Sequence, residues 1–422
     1  MDAFQFQNGV AHAEQVALTQ VAEEVGTPVY VYSAGMIRDR YTSLTGALSN
    51  AMPEKQIGVH YAVKANGNQA VLSLLAKLGS GADVVSGGEL KRCLAAGIKP
   101  ASIVFAGVGK TREELGAALD AGILAFNVES EPELEALSEV AASKGMSARV
   151  GLRVNPDVDA KTHAKITTGK AENKFGVPIE RAEIFFKRAH ELPGVEATSL
   201  SVHIGSQLMD LEPFRLAYAK VGEKAVQLRE AGYGIDAIDL GGGLGIGYGG
   251  EEGPSVDAYA AIVKETVGDL GFKLAVEPGR WMVGSAGVLL AKIVFVKHGE
   301  TKRHVIVDAA MNDLIRPTLY EAHHRIEPVI ERDGMGALKA DIVGPICESG
   351  DYLAKDRDLP EVEAGDLMMV RDAGAYSAVM ASTYNARPLV PEVLVDGDRY
   401  AVIRERQSIE ALIALDLVPD WI

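Results

Sequence analysis

The stretch HYAVKAN, residues 60–66, places Lys64 directly after the apolar run IGVHYAV, which starts at Ile57. A buried ammonium is unfavourable, because leaving water lowers the pKa of a lysine unless a partner charge compensates. A lysine at the end of a buried strand therefore has two interpretations. Either its long side chain reaches solvent, or its amine acts as a reagent.

Other chemically useful residues also fall at the ends of predicted strands. They are Asp83 and Ser86, Asn127, Arg153 and Asn155, His203 and Ser206, the run Gly241 to Gly243, and Glu277 with Arg280. One polar residue at a strand end is common. A reactive residue type at nearly every strand end favours a catalytic role for Lys64.

The elements that position these residues are predicted by a regular alternation along the chain. Eight short apolar runs are separated by segments with helical periodicity, such as NQAVLSLLAKL and EPELEALSEVAASKG. The runs are IGVHYAV, ADVVS, SIVFAG, LAFNVES, ARVGLRVNP, TSLSVHIGS, AIDLGGG and KLAVEPGR. This pattern predicts an α/β fold, a (β/α)8 TIM-like barrel whose chemistry gathers at the carboxyl ends of the strands.

A second, β-rich region is predicted after the barrel. Runs such as VLLAKIVFVKHG and RPLVPEVLVDG read as strands joined by turns, and the early segment TPVYVYSA is strand-like too. We expect residues 1–35 to join this β-rich domain, residues 36–282 to form the barrel, and residues 283–422 to form a β-sandwich or β-barrel domain.

Composition restricts the classes of partner. The chain of 422 residues has a formal net charge of −16, which argues against nucleic acid as the main partner. Only Cys93 and Cys347 occur, without metal-ligand spacing, so we expect neither a disulfide framework nor a metal site. The N-terminus lacks a signal-peptide pattern, and no apolar run reaches membrane-spanning length. We expect a soluble, cytoplasmic protein.

The residue types at the strand ends suggest a phosphorylated aldehyde cofactor. Pyridoxal 5'-phosphate needs a lysine for its Schiff base, donors for its phosphate, and a partner for its ring nitrogen. Lys64, the amides of Gly241 to Gly243 and the carboxyl group of Glu277 match these needs. A plain tight turn explains the glycine run equally well, and His203 taken alone is typical of a hydrogen-bonded core histidine. The pair His323 and His324 is typical of a helix surface.

Several motifs together resemble a known family. HYAVKAN, ENKFG, SVHIGSQ, DLGGGLG, EPGR, MNDLIRPTLY, CESGD and GAYS are similar, in order and spacing, to those of the diaminopimelate decarboxylases, which are pyridoxal-phosphate enzymes of the barrel class. EPGR is shared with ornithine, lysine and arginine decarboxylases, whereas RPTLY with CESGD points more strongly to diaminopimelate. The segment THAKITTG departs from the family pattern, because a proline and an aromatic residue would follow the histidine.

The resemblance implies roles for individual residues. Lys64 would bond the cofactor, His203 would stack on its ring, Glu277 would pair with the ring nitrogen, and Cys347 would donate the proton to the product. The cofactor-binding set would comprise Lys64, Asp83, His203, Ser206, Gly241, Gly242, Gly243, Glu277, Gly279, Arg280 and Tyr376. The substrate-binding set would comprise Arg280, Arg316, Tyr320, Glu348 and Tyr376.

The reaction implied is decarboxylation of meso-diaminopimelate at its D-configured centre, which yields L-lysine and carbon dioxide. A homodimer would share its active sites, with CESGD supplied by the partner subunit. Four alternatives stay open: a basic amino acid decarboxylase, a racemase of the same barrel class, a non-catalytic carrier of the cofactor, and a Schiff-base aldolase without cofactor. Glu277 argues against the racemase, since an arginine at the ring nitrogen would suit that reaction better.

Overall fold

The structure is a computed structural model that describes residues 2–159, 174–332, 336 and 338–422. The chain divides into two compact units. One consists of residues 38–246 and 252–282, and the other of residues 1–37, 247–251 and 283–422. The THAKITTG segment, together with Glu172 and Asn173 of the ENKFG motif, lies outside the described residues.

The first unit is a closed parallel barrel, as the alternation of apolar runs predicts. Each strand pairs with the next, and the eighth pairs with the first through Ala275 opposite Gly58. A two-residue strand, Val177–Pro178, pairs with the fifth barrel strand. The eight barrel strands are Gly58–Ala62, Gly81–Val84, Ile103–Phe105, Ala125–Val128, Ala148–Asn155, Val195–Val202, Ala237–Asp239 and Lys273–Val276.

Helices connect the strands, and polar caps define where several of them begin. The Thr111 hydroxyl accepts from the Glu114 amide while the Glu114 carboxylate accepts from the Thr111 amide, which satisfies two otherwise unpaired donors. The longer helices are Ala34–Ala51, Gln69–Leu78, Gly87–Ala95, Arg112–Ala121, Glu131–Lys144, Ala182–Glu191, Glu212–Glu230 and Val256–Val263; a four-residue helix, Arg280–Val283, follows the eighth strand.

The second unit is built mainly from strands. Its large sheet runs in the order Tyr352–Leu359, Leu338–Val343, Arg303–Val307, Gly287–His298, Val29–Ser33, Glu392–Asp396 and Arg399–Arg404. Leu367–Val370 branches from Gly287–His298, and Ile326–Pro328 pairs with Leu367–Val370. A small sheet contains Phe4–Gln7, Val10–Ala13 and Val16–Ala17. The helices are Leu18–Val25, Arg316–Tyr320 and Ile409–Ile413.

The N-terminal strand Val29–Ser33 lies inside this sheet, which confirms that the N-terminal segment contributes to the β-rich domain. It pairs antiparallel with Gly287–His298 and parallel with Glu392–Asp396. Tyr30 and Tyr32 pack into one apolar cluster, and Val29 and Val31 pack into another. Since both faces of the strand are buried, its near-continuous apolar sequence VYVYS is what such a position requires.

Candidate active site

Lys64 lies in a single turn, Val63–Ala65, directly after the first barrel strand. Its Nζ donates to Oδ2 of Asp83 on the second strand at 2.7 Å. The lysine side chain is 34% exposed, whereas the Asp83 side chain is fully buried. Within the described residues, Oδ1 of Asp83 is buried without a hydrogen-bond partner. The amine is therefore held at the end of the strand by a buried carboxylate and still reachable from outside.

Three buried polar side chains form a layer at the same strand ends. Asn127 is on the fourth strand, Asp239 ends the seventh, and Glu277 follows the eighth. The Asn127 Nδ2 amide donates to Oδ2 of Asp239 at 3.2 Å and to Oε1 of Glu277 at 3.3 Å. One amide group thus holds two carboxyl groups close together.

The pKa of the Glu277 carboxyl group is raised by its surroundings. Burial raises the pKa of Glu277 well above its usual value, and the charges of Asp239 and Asp83 raise it further, while Lys64 opposes them. A buried carboxyl beside other carboxylates resists ionisation because the charged form loses solvation and is repelled. Glu277 is therefore harder to ionise than an exposed glutamate.

His203 follows the sixth strand and is half-buried. Its Nδ1 accepts a hydrogen bond from the Gly242 amide at 3.2 Å, so the proton of the neutral ring is on Nε2. Burial, with smaller effects from Arg153 and Lys64, lowers the pKa of His203 well below its usual value. The ring is a neutral, flat surface near Lys64.

The glycine run after the seventh strand is required by close backbone approaches. A Cβ atom on Gly241 would lie 2.0 Å from the Val202 oxygen, and one on Gly242 would lie 2.2 Å from the Glu277 oxygen. Gly241 and Gly243 also have positive φ angles of 66° and 115°. No other residue type fits here without moving the backbone.

Two amides of this glycine run are hydrogen-bonded to side chains within the protein. The Gly241 amide donates to Oδ1 of Asp239 at 3.0 Å, and the Gly242 amide donates to His203. Both amides are used inside the protein, and phosphate binding by the three amides stays a prediction. Gly241 and Gly242 shape the loop, and Gly243 remains the candidate donor.

A second group of candidate anion-binding atoms surrounds the start of the helix Arg280–Val283. Nη2 of Arg280 donates to the Ser206 hydroxyl at 3.0 Å, and Arg280 is 6% exposed. A Cβ atom on Gly279 would lie 3.1 Å from the Cβ of Ala62, so this turn packs directly on the first strand. Ser206, Gly279 and Arg280 are thereby grouped beside the turn that carries Lys64.

In the β-rich unit, Arg316 is held by two aromatic residues. Its Nη1 lies 2.8 Å from Nε2 of His324, and its guanidinium lies over the Tyr248 ring at 4.5 Å from the centroid. His324 is fully buried. The interpretation of His324 as a helix-surface residue is therefore wrong, and the sequence analysis missed both His324 and Tyr248 as supports for Arg316.

The remaining predicted residues of this unit lie at or near its surface. Tyr320 ends the helix Arg316–Tyr320 and, like Tyr376, is half-buried. Cys347 and Glu348 are exposed. The loop that carries them is fixed by the Asp351 carboxylate, which accepts from the amides of Ile346 at 2.6 Å and Met311 at 2.7 Å.

Two further residues have structural explanations. Ser86 caps the helix Gly87–Ala95, since its hydroxyl accepts from the Glu89 amide. Arg153 donates to the Glu129 carboxylate at 2.9 Å.

Asp239 was missed by the sequence analysis, although a charged residue between an apolar run and three glycines was a visible signal.

A cavity of about 960 Å³ opens at the end of the barrel opposite Lys64. Residues that begin strands line it, among them Gly58, Gly81 and Ala237. Asn127 and Asp239 reach it from inside the barrel. The cavity thus extends inside the barrel as far as two members of the polar layer near the strand ends.

Comparisons with known proteins identify the family of the chain. Residues 36–284 match the sequence model of the family described as pyridoxal-dependent decarboxylase, pyridoxal binding domain. Diaminopimelate decarboxylase of Pseudomonas aeruginosa is 50% identical, with 98% of both sequences covered. The enzyme of the same name from Zymomonas mobilis is 47% identical over the full length of both.

A solved structure gives the same result. The crystal structure of diaminopimelate decarboxylase from M. jannaschii in complex with L-lysine superimposes with a TM-score of 0.93 and 40% identity, covering 99% of this chain and 98% of that one. Within the described ranges, no helix combines the length and apolar character needed to cross a bilayer.

Proposed function

The chain belongs to the diaminopimelate decarboxylases, within the pyridoxal-dependent decarboxylase family, and we propose that it converts meso-2,6-diaminopimelate to L-lysine and carbon dioxide with pyridoxal 5'-phosphate. One observation carries the proposal. Lys64 and Glu277, whose carboxyl pKa is raised by burial, belong to one polar cluster at the carboxyl ends of the barrel strands.

The residues of the cluster fit this cofactor. Asp83 has a buried oxygen without a partner among the described residues, and Glu277 is a buried acid able to pair with a basic ring nitrogen. An added Cβ would lie 2.6 Å from the Gly205 oxygen at Gly243 and 3.1 Å from the Ala62 Cβ at Gly279, so glycine keeps both loops compact, and their backbone amides would be the phosphate donors. Lys64 would hold the aldehyde carbon, and Ser206 with the neighbouring amides would hold the phosphate.

When bound, pyridoxal phosphate accepts the electron pair that the departing carboxylate leaves on the α-carbon. The chain supplies positioning and protons. Glu277 would pair with the ring nitrogen and keep it protonated, His203 would support one ring face as a neutral imidazole, and Cys347 would return a proton to the carbon.

Charge explains why diaminopimelate is the proposed substrate. Its far end carries a carboxylate and an ammonium, which Arg316 and Glu348 would bind, with Arg280 and Tyr320 completing the carboxylate site. Arg316 is 5% exposed and oriented by His324. Lysine or ornithine would leave a buried arginine without its carboxylate, at a cost of roughly 2–5 kcal/mol.

We further infer a homodimer with shared active sites in the cytoplasm. The exposure of Cys347 and Glu348 in the single chain supports the dimer, because a partner subunit can receive them. Mixing the inactive variants Lys64→Ala and Cys347→Ala tests this. In a shared-site dimer each mixed dimer contains one intact site of two, so an equimolar mixture, about half of it mixed dimers, regains roughly a quarter of wild-type activity. No recovery after subunit exchange would contradict the sharing.

The test of function is carbon dioxide release by the cofactor-loaded protein given meso-diaminopimelate, L-lysine, L-ornithine or L-arginine, with the products identified. We expect release from meso-diaminopimelate alone, with L-lysine as product, and none from Lys64→Arg. Release from a basic amino acid would support that alternative and overturn the roles of Arg316 and Glu348. Cofactor binding without release from any substrate would favour the carrier.

A further inference from the structure

The cavity at the end of the barrel opposite Lys64 has no role in the proposed reaction. Its volume of about 960 Å³ lies at the upper end of the range for small-molecule sites, roughly 300–1,000 Å³. The space exists because strand positions that face it carry small residues, whereas bulky branched side chains usually fill a barrel. These small residues are Gly58, Gly81, Ala125, Ala237 and Ala275. Since Gly58, Ala237 and Ala275 are only half-buried, the space is open to solvent.

His60 is a buried histidine of the first strand that lines this cavity. Two glycines make room for its ring: a Cβ atom on Gly81 would lie 2.6 Å from Cδ2 of His60, and one on Gly58 would lie 3.2 Å from Nε2. Among the described residues, its Nδ1 atom has no hydrogen-bond partner. Burial lowers the pKa of His60 although the charges of Asp239 and Asp83 oppose this effect, so the ring is neutral at neutral pH. A neutral imidazole can accept a hydrogen bond from a molecule in the cavity.

The inner end of the cavity is rich in hydrogen-bond acceptors. Asp239 accepts one N–H at each carboxylate oxygen, from Gly241 and from Asn127, and both oxygens keep a further lone pair. Gly151 leaves room for two more polar atoms of lining residues, because a Cβ atom there would lie 2.6 Å from Oδ1 of Asn127 and 2.7 Å from the Ser199 hydroxyl oxygen. A positively charged group with several N–H donors therefore suits this inner end.

The outer end of the cavity, its mouth, is positively charged. Lys55, Arg149 and Lys273 line it, and among the described lining residues Asp239 at the inner end is the only acidic one. The carboxylate of Asp236, which does not line the cavity, pairs with Arg149 at 2.9 Å and with Lys273 at 2.8 Å. Three cations beside one carboxylate leave an excess of positive charge, which favours an anionic group at the mouth.

The register of the strands gives the separation of the two ends. Lys273 lies opposite Ala237, which is two residues before Asp239 on the neighbouring strand. At about 3.3 Å per residue, the backbone positions of Lys273 and Asp239 differ by ~7 Å along the strands. Lys55 lies near the level of Lys273, because its Nζ donates to the Phe272 carbonyl at 3.1 Å. A ligand that reaches both ends must therefore carry its two charged groups several carbon atoms apart.

We propose that this cavity is a binding site for a linear aminocarboxylate, a molecule with a carboxylate at one end, an ammonium group at the other and methylene groups between them. The carboxylate faces Lys55 and Lys273 at the mouth. The ammonium group has three N–H donors, which match the acceptors on Asp239, Asn127 and His60. The methylene chain lies along the glycine and alanine wall, where it is removed from water. The site is separate from the turn that carries Lys64, and its ligand does not depend on the proposed function.

Calorimetric titration of the cofactor-loaded full chain, freed of excess cofactor, with 6-aminohexanoate tests the site. We expect a Kd of about 1 mM or tighter. Binding should be at least ~10-fold weaker for hexanoate, which lacks the ammonium group, and for hexylamine, which lacks the carboxylate. The same titration without the cofactor should give the same affinity, because the cavity lies apart from Lys64.

Two variants locate the bound probe. Ala237→Leu places a larger side chain in the cavity and should abolish binding of 6-aminohexanoate, with urea unfolding as the check that this variant is folded. Lys273→Gln removes a cation at the mouth whose side chain is 75% exposed, so the fold is unaffected and binding should weaken by about 2- to 5-fold. The matched control Lys77→Gln changes an exposed lysine of the helix Gln69–Leu78 and should bind the probe like the wild type.

Four results would each overturn the proposal. They are no binding of 6-aminohexanoate by the wild type, equal affinity for hexanoate or hexylamine, binding that requires the cofactor, and unchanged affinity in Lys273→Gln or in folded Ala237→Leu. A chain that fails to bind pyridoxal 5'-phosphate would contradict the proposed function, while the titration without cofactor would still decide whether the cavity binds an aminocarboxylate.

Discussion

Arg316 donates from Nη1 to Nε2 of His324 across 2.8 Å, and His324 donates from Nδ1 to the Arg371 carbonyl at 2.8 Å. A guanidinium can only donate and a carbonyl can only accept, so the ring is a neutral imidazole with its proton on Nδ1. His324 therefore orients an arginine that would bind the far carboxylate of the substrate.

His324→Phe should weaken substrate binding more than it slows the chemistry. It leaves a buried N–H of Arg316 without its acceptor, at about 1–3 kcal/mol, which corresponds to roughly a 5- to 150-fold rise in KM for meso-diaminopimelate. His324→Gln, which offers an acceptor oxygen, should restore part of the loss. The control variant is His323→Phe, which changes the exposed histidine next to His324. A fall in kcat at constant KM would contradict the orienting role.

Lys64→Arg should abolish covalent attachment of the cofactor while keeping a cation beside Asp83. Borohydride reduction followed by mass spectrometry of peptides checks this, with exposed Lys77→Arg as the control. We expect no reduced adduct in Lys64→Arg and a normal adduct in the control. An adduct on another lysine would show that a different amine is used.

Cys347→Ala should lower kcat while the cofactor stays bound. Positioned proton donors contribute about 10²–10⁴-fold to rate, so a loss of that order is expected. Absorbance of the bound cofactor gives the loading, and Ser349→Ala in the same exposed loop is the control. Cys93 is not an alternative donor, since burial raises the pKa of its thiol to about 12. Parallel loss of rate and loading would indicate a structural role for Cys347.

Gly241→Ala should destabilise the barrel unit by more than about 2 kcal/mol, because the new Cβ combines a left-handed backbone angle with a clash against Val202. The variant Gly232→Ala separates the strain of the left-handed backbone angle from the effect of the clash. Gly232 has a φ angle of 91° with no atom within 4 Å of an added Cβ, so its loss should be only about 1 kcal/mol. Urea unfolding of both variants is the measurement, and equal losses would mean that the clash is relieved.

The buried carboxyl of Asp313 should make stability fall as pH rises. Burial raises the pKa of Asp313 from 3.8 to about 6, so the folded state binds more protons than the unfolded state between these values. The contribution of Asp313 to the free energy of unfolding is unchanged below about pH 4. Roughly 3 kcal/mol is lost by the time the pH passes 6. Asp313→Asn should flatten the change of urea midpoint from pH 4 to pH 7, whereas Asp416→Asn, at an exposed site, should not. Parallel curves for wild type and Asp313→Asn would refute this.

Much of the barrel could be predicted from the sequence, because each buried parallel strand is a short apolar run with a periodic helix after it. The run that ends at Val63 correctly places Lys64 just past the strand Gly58–Ala62. The excursion of residues 247–251 into the β-rich unit was not predicted. A short glycine-rich segment carries no periodicity, and its partner, Arg316, is distant in sequence.

The chemistry of the site was harder to predict than its location. The raised pKa of Glu277 depends on burial and on Asp239, which only the closed barrel brings close. The amides of Gly241 and Gly242 point to protein acceptors, and no sequence pattern indicates which way an amide points. His324 was misassigned because a histidine pair between short elements looks the same whether it is buried or exposed.

The central place of Val29–Ser33 in its sheet has a consequence for synthesis on the ribosome. Tyr32 bonds to Glu392, 360 positions later, so the strand waits for its neighbour for roughly 20–70 s at typical elongation rates of about 5–20 residues per second. The barrel sequence emerges during that interval and can fold first. The N-terminal segment is thus made first, and the pairing of its strand is completed only after Glu392–Asp396 has been synthesised.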